Sequence, residues 1–209
     1  MDLTFTMASQ QNGHDFDNEM KAVFGVTSAN YTARHDVPEE LNDGNFASVK
    51  SSVGDSCDCG DALRMYENTE LPNYHLIRGR FQQVGEQKHL KEIHHFDMSN
   101  SREIMWGQVT RDDVVRLREL TGSYRPGMED IRKSVHKLKT ELNKKSGFMQ
   151  FRPKMDSKQH RLQCSIPKFA TLVKSHPARL LTHSLVGIFK GVQLILVRES
   201  GRRIRAARN

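Results

Sequence analysis

The sequence predicts an α+β protein with a central αα-hairpin, a small β element and a C-terminal helix, preceded by a largely disordered acidic arm. Residues 1–75 contain 4 Lys and Arg against 13 Asp and Glu, whereas residues 76–209 contain 28 against 12. The apolar residues are concentrated in the C-terminal two-thirds, where helical periodicity gives way to strand alternation. We therefore expect an acidic arm over 1–70, a basic α+β domain over 71–200 and an Arg-rich tail over 201–209.

The acidic arm contains one segment with a helical pattern. Residues 16–24 place four large apolar side chains on one helix face, and Gly25 follows as a stop. Residues 26–60 are rich in Ser, Asn, Asp and Gly, a composition that buries too little apolar area to offset the entropy of ordering. We expect disorder there, and a short helix over 61–68 at the entry to the folded region.

Two elements are predicted between the arm and the αα-hairpin. The segment 74–84 has the composition of a strand and is bounded by Pro72 and Gly85. The segment 86–96 is predicted to be a short helix, because three apolar side chains recur at every third position: Leu90, Ile93 and Phe96.

The αα-hairpin is predicted from local signals at its helix ends. Thr110 and Asp113 have the spacing of a capping box, and Gly122 stands where the first helix should end. The second helix is predicted over Met128–Lys145, because acidic residues in its first turn and Lys in its last match the helix dipole. Its apolar face should pack on the preceding helix, or alternatively join two chains as an assembly helix, through Met128, Ile131, Val135, Leu138 and Leu142.

The small β element is predicted after Gly147, where the pattern becomes alternating. Residues 148–152 and 161–166 are expected to pair as a hairpin around the polar segment 153–160.

The C-terminal region is predicted to contain a helix that opens at 175–177 and a buried strand over 192–197. The segment 180–197 is apolar enough that contact with a membrane has to be considered. We assign it to the core and expect no membrane contact, because three of its residues would be costly near the centre of a bilayer: His183, Lys190 and Gln193.

The excess of positive charge indicates a polyanionic partner. From residue 142 onward, 15 Lys and Arg stand against only Asp156 and Glu199. Like charges repel and add nothing to fold stability, whereas Lys and Arg bind phosphates and release counterions. We expect nucleic-acid binding, to RNA rather than DNA, with Phe148 or Phe151 stacking on bases if exposed. The predicted contact residues are Arg152, Lys154, Lys158, Arg161, Arg202, Arg203 and Arg205.

Other interpretations of the same features stay open. The basic residues can form a solvated surface, contact anionic lipid, or serve in the tail as a nuclear address. The main alternative to nucleic-acid binding is a protein–protein adaptor, which assembles through the helix over 128–145 or meets an acidic protein with its basic surface. A peripheral membrane protein that uses 180–197 is a third class.

The cysteines favour a reducing compartment and do not predict a metal centre. Cys57, Cys59 and Cys164 form an odd set whose first two members are too close for an easy disulfide. The Cys-x-Cys pair, with histidines downstream at 75, 89, 94 and 95, invites a zinc hypothesis. Its spacing is less usual than Cys-x2-Cys, so we expect no metal and no cofactor.

The sequence contains no familiar catalytic motif. It has no Walker A loop, no G-x-G-x-x-G, no H-E-x-x-H and no G-x-S-x-G. His94 and His95 with Glu92 or Asp97 are candidates for acid–base chemistry, but a helix would turn them to different directions. We predict a non-enzymatic regulatory, packaging or virus-encoded accessory protein located inside the cell, in the cytoplasm, the nucleus or both.

Overall fold

The computed structural model describes residues 8–27, 35–185 and 187–199. The predicted Arg-rich tail, with Arg202, Arg203 and Arg205, lies outside the described residues. The chain divides into two compact units. The first comprises the described residues up to Asp55, His75–Asp97 and those from Pro177 onward, and the second comprises Ser56–Tyr74 and Met98–His176.

The described residues form six helices and ten strands. The helices are α1 (Ala8–Val23), α2 (Ala62–Asn68), α3 (Arg102–Trp106), α4 (Arg111–Ser123), α5 (Glu129–Lys145) and α6 (Phe169–Ser175). The strands are β1 (Phe46–Val53), β2 (Cys57–Asp61), β3 (Tyr74–Val84), β4 (Gln87–Asp97), β5 (Gln150–Met155), β6 (His160–Ile166), β7 (Leu180–Ser184), β8 (Ile188–Phe189), β9 (Val192–Gln193) and β10 (Val197–Glu199).

The first unit is built on a five-stranded sheet in the order β1-β3-β4-β10, with β7 also paired to β4. Strands β3 and β4 form a hairpin in which Val84 pairs with Gln87, so only Gly85 and Glu86 form the turn. Gly85 has φ of +57°, which a two-residue hairpin turn requires and glycine adopts without strain. The amino-terminal part of β4 pairs with β10 and its carboxy-terminal part pairs with β7, both antiparallel. Strand β4 is therefore the central strand of this sheet.

Helix α1 supplies much of the core of the first unit. Phe16 and Met20, one helical turn apart, are fully buried together with Ile77 of β3 and Ile93 of β4. The ring of Phe16 lies over Gly79 and meets the ring of Phe81 edge-on, with 5.6 Å between centroids. The helical pattern in the amino-terminal segment thus gives a helix that covers one face of the sheet.

The second unit is built on a three-stranded sheet in the order β2-β6-β5. Helices α2 and α4 pack on this sheet, and the fully buried Trp106 contacts Tyr66 and Phe151. Thr110 and Asp113 form the predicted capping box at the start of α4. Helices α4 and α5 pack against each other within this unit.

Strand β5 is an edge strand whose outer side is covered at one point by α5. The backbone N–H of Phe151 donates to Oδ1 of Asn143 on α5 at 2.9 Å. The next position on the same side of the strand is Pro153, which has no N–H to donate.

The predicted fold class is wrong. The chain is a mixed α/β fold with multi-stranded sheets, and the αα-hairpin is one layer of the second unit rather than the centre of the protein. The expected disorder of 26–60 is also overturned for the described residues, because β1 and β2 lie there. Three apolar residues of that segment, Val37, Ala47 and Val49, are buried in the core of the first unit, which offsets part of the cost of ordering their polar neighbours.

Two predicted helices are strands. The segment 86–96 is β4, because pairing with β3, β7 and β10 outweighs a local pattern that also fits a helix. The C-terminal helix expected from 175–177 does not form: α6 ends at Ser175, a short 3-10 turn follows at Pro177–Arg179, and the chain then pairs with β4 as strand β7.

The segment 180–197 is not the buried core that we predicted. Among the large apolar side chains of this segment that the structure describes, only Phe189 and Leu194 are buried. The exposed ones are Leu181, Leu185, Ile188, Val192, Ile195, Leu196 and Val197. Within the described residues, no helix is both long enough and apolar enough to cross a membrane.

Candidate functional site

The hairpin of β5 and β6 gathers three of the predicted nucleic-acid contacts on one face. Arg152 and Lys154 are two residues apart on β5 and therefore point to the same side. In the register of the hairpin Lys154 pairs with Arg161 of β6, so these two cations lie directly opposite each other. We call the side of the hairpin that carries Arg152, Lys154 and Arg161 the basic face.

The opposite side of the hairpin faces the core, which fixes the orientation of the basic face. Phe151 and Leu162 are each 1% exposed, and Cys164 is fully buried. Because side chains alternate along a strand, burial of these residues directs Arg152 and Arg161 outward, where both are exposed. A shift of one residue in the register would bury the cations, so the register is strongly specified.

Lys158 lies in the turn between the two strands, and Asp156 orders that turn. Oδ1 of Asp156 accepts hydrogen bonds from the backbone N–H groups of Lys158 and Gln159, each at 2.8 Å. These bonds, led by the one from Lys158, lower the pKa of Asp156, which keeps its carboxylate charged. The turn therefore presents Lys158 at the end of the basic face.

Arg152 is paired with an acidic side chain on strand β2, which lies on the other side of β6. Its Nη1 lies 2.8 Å from Oδ1 of Asp58, and the two side chains are 46% and 70% exposed. Exposed pairs of this kind contribute about 0–1 kcal/mol and are readily exchanged for another anion. Asp58 thus occupies a position that a phosphate could take.

The sequence around the basic face is also rich in positive charge. Residues 132–176 contain 12 Lys and Arg against only Glu141 and Asp156. Most of the cations of α5 lie on its exposed side, including Lys144 and Lys145 in its last turn.

The aromatic side chains expected to stack on bases do not lie on the basic face. Phe151 is buried against Trp106, with 5.4 Å between ring centroids. Phe148 is partly buried and meets the ring of His176 edge-on. Neither ring is therefore placed on the basic face for a base to stack on.

The predicted assembly helix, α5, buries most of its apolar face against its own chain. Val135 is fully buried and Leu142 is 1% exposed, while Ile131 and Leu138 are partly buried. Met128, at the amino-terminal end, is 44% exposed. The contact between α4 and α5 corresponds to the intramolecular hairpin that we preferred.

A cluster of titratable side chains lies on the sheet of the first unit. Glu92 and His94 are two residues apart on β4 and share a face, and His183 of β7 is the Cα partner of His94. Oε2 of Glu92 lies 3.4 Å from Nε2 of His94 and 3.9 Å from Nε2 of His183. The imidazole rings of His94 and His183 are stacked, with 4.6 Å between centroids.

Two arginines of β3 surround this cluster. Arg80 donates to Oε1 of Glu92, and this hydrogen bond lowers the pKa of the carboxyl. Arg78 is buried and donates to Oγ of Ser52 and to the carbonyl oxygen of Gly54. Burial first, and then the positive charges nearby, lower the pKa of His94 to about 4. His94 is therefore neutral at physiological pH, and one of its two ring nitrogens carries a lone pair in place of a proton.

A separate histidine pair lies on the other face of β4. Nε2 of His95 is 3.0 Å from Nδ1 of His75, and the ring of His95 also meets that of Phe189. Burial, followed by the charges of His75 and Lys190, lowers the pKa of His95 to about 4, against an opposing effect of Asp97.

The Glu92–His94–His183 cluster was missed because 86–96 was predicted as a helix. A helix separates residues 92 and 94, whereas a strand places both on one face. The alternation of Glu92, His94 and Phe96 with Ile93, His95 and Asp97 was the available signal. No local signal could have placed His183 beside them, since it is 89 residues from His94.

The cysteines do not join the histidine cluster. Cys57 and Cys59 lie on β2 and Cys164 on β6, all in the second unit, whereas His75, His89, His94 and His95 belong to the first. All three thiols are buried and none is in a disulfide.

Comparisons with protein-family models, with curated proteins and with solved structures found no match to the chain.

Proposed function

We propose that the protein binds the phosphodiester backbone of nucleic acid, RNA in preference to DNA, through the basic face and the adjoining turn. The observation that carries this proposal is the placement of Lys154 directly opposite Arg161, with Arg152 two residues away on the same exposed face. Like charges placed directly opposite each other destabilise a sheet. A bound polyanion relieves that repulsion and gains entropy from released counterions.

The surroundings of the basic face favour backbone contacts over base recognition. Phe151 is buried, so stacking from this strand is excluded and the exposed groups are guanidinium and ammonium ions. Such groups bind phosphates irrespective of sequence. The ordered turn holds Lys158 close to the strands, which reduces the entropy lost when it meets a phosphate.

The adaptor alternative receives less support from the packing of α5. Val135 and Leu142, which would form the centre of an assembly surface, are buried within the chain. Only Met128 of the five apolar residues is substantially exposed.

The salt dependence of binding tests the proposal. We expect a fluorescently labelled single-stranded RNA to bind with a slope of log K against log salt of about −3, since four phosphate contacts contribute about −0.7 each. Affinity should then fall roughly fiftyfold between about 50 and 200 mM salt. Fluorescence anisotropy measures both quantities. DNA of the same sequence, if bound equally well, would remove the preference for RNA and leave the backbone proposal in place.

Two variants identify the surface. Replacement of Arg152, Lys154, Lys158 and Arg161 by Ala should abolish most of the slope. Loss of the same charge elsewhere should leave the slope nearly unchanged, and a suitable control set of exposed residues is Arg64, Lys91, Arg116 and Arg118. Equal losses in the two variants would show that net charge, and not the basic face, governs binding.

A third variant should have the opposite effect. Asp58→Asn removes the carboxylate that engages Arg152 and places an uncharged amide in its position. RNA affinity should therefore increase, by a few-fold if Arg152 contacts a phosphate. Unchanged or weaker binding would argue against a contact at Arg152.

A further inference from the structure

We propose that Glu92, His94 and His183 form a binding site for one divalent transition-metal ion, and that zinc is the cation this donor set fits best. The proposal is independent of nucleic-acid binding, because all three residues belong to the first unit and the basic face belongs to the second.

The geometry of the sheet brings the three side chains together. Residues two apart on a strand share a face, which aligns Glu92 with His94. Cα partners on neighbouring strands face each other, which places His183 beside His94. One ligand atom from each residue can be chosen so that all three lie within 4.8 Å of one another.

The two distances from the carboxylate to the imidazoles are close to those of a coordination sphere. With bonds of about 2.0–2.1 Å and tetrahedral angles, neighbouring zinc ligands are about 3.3–3.4 Å apart. Oε2 of Glu92 and Nε2 of His94 are 3.4 Å apart, which already satisfies this spacing. Nε2 of His183 is 3.9 Å from the same oxygen, so it must approach by about 0.5 Å.

One ring must also turn for both imidazoles to point at one ion. The rings of His94 and His183 are nearly parallel, at 13°, so their in-plane lone pairs do not converge. His94 is enclosed, at 7% side-chain exposure, whereas His183 is 39% exposed and has space to rotate. The torsion that turns an imidazole has broad minima, which makes this adjustment inexpensive.

Arg80 orients the carboxylate for this role. It donates to Oε1 of Glu92, while Oε2 faces the two imidazoles. Partners of this kind fix the direction of a metal ligand. The positive charges of Arg80 and Arg78 oppose a cation, but Arg78 is directed to Ser52 and Gly54, and Asp55 acts electrostatically on Arg80.

The donor set selects the class of cation. Two imidazole nitrogens and one carboxylate oxygen suit zinc and its neighbours in the first transition row, whereas calcium and magnesium require mostly oxygen ligands. An ion held by residues of β4 and β7 would tie β7, which follows the second unit in the chain, to the central strand of the first sheet.

Metal titration of the full chain tests the site. After removal of metal with a chelator, zinc should bind with a stoichiometry of one and raise the melting temperature. Cobalt should give the visible absorption of a site with nitrogen and oxygen ligands. A thiolate-to-cobalt charge-transfer band would assign binding to Cys57, Cys59 or Cys164 and overturn the proposal.

Single substitutions identify the ligands. Glu92→Gln, His94→Gln and His183→Gln should each weaken zinc binding by at least about tenfold. His89→Gln, on the same strand, should bind as the unsubstituted protein does. His183→Gln is the decisive variant because its side chain is exposed enough to be replaced without unfolding the sheet. Unchanged zinc affinity in His183→Gln, or no binding by the unsubstituted protein, would refute the site.

Discussion

Replacing Gly79 by Ala should destabilise the protein, because the ring of Phe16 occupies the space of the new methyl group. A Cβ at this position would lie 2.6–2.9 Å from three atoms of that ring. Since carbon atoms in contact prefer about 3.5–4.0 Å, the ring would have to move by about 1 Å. Phe16 is fully buried and its ring also contacts that of Phe81, so the movement displaces further core residues.

The expected size of the effect follows from two opposing contributions. Overpacking of a well-packed core costs about 1–3 kcal/mol. Ala is favoured over Gly within a strand by about 0.5–1 kcal/mol. We expect a net loss of about 1–2 kcal/mol in the free energy of unfolding, measured by urea denaturation with circular dichroism. In a chain of this length each kcal/mol lowers the melting temperature by roughly 2–4 °C.

Testing Gly79→Ala in a second background separates the contact with Phe16 from the other effects of the substitution. Phe16→Leu removes the outer ring atoms that the methyl group would meet, so Gly79→Ala should become neutral or stabilising in that background. Gly122→Ala is the matched control, because this glycine lies in α4 with open space around its Cβ position. If Gly79→Ala costs the same with Phe16 and with Leu at position 16, α1 does not lie over β3 as described.

Two further predictions concern acid stability and helix packing. The pKa of His95 is about 4 in the folded protein and about 6.5 when unfolded, so the unfolded state binds the proton first. His95 alone should therefore lower the free energy of unfolding by up to about 3 kcal/mol as the pH falls from 6.5 towards 4, and His95→Gln should remove this part of the loss in urea titrations at each pH. Leu142→Ala should cost about 2–5 kcal/mol and Leu138→Ala clearly less, because only Leu142 is fully buried. Equal costs for the two leucines in thermal or urea unfolding would contradict the packing of α5.

Elements with strong local signals could be predicted from the sequence. The second helix of the αα-hairpin was predicted from its apolar spacing and from the charges at its ends, and α5 spans Glu129–Lys145. The hairpin of β5 and β6 was predicted from alternation, and its register places Lys154 beside Arg161. In both cases the residues that determine the structure are neighbours in the chain, so their pattern is visible without knowledge of the rest of the fold.

Elements that depend on distant partners could not be predicted in this way. Strand β4 carries apolar side chains on both faces, and its spacing of Leu90, Ile93 and Phe96 also fits a helix. Its pairing with β7 and β10 involves residues about 85 to 110 positions away, which contribute nothing to a local pattern. The cluster of Glu92, His94 and His183 depends on this pairing, so the candidate metal site could not be found before the sheet was known.

The outer side of β5 has a consequence for the proposed binding to a long polyanion. Many copies bound along one strand of nucleic acid are brought to high local concentration, where open sheet edges from different copies can join and aggregate. On β5 the N–H of Phe151 is already bonded to Asn143, and Pro153 offers none. Two successive positions therefore cannot donate to an incoming strand. Under the proposed function, crowded copies would share one nucleic acid through their cations without pairing with one another at these two positions.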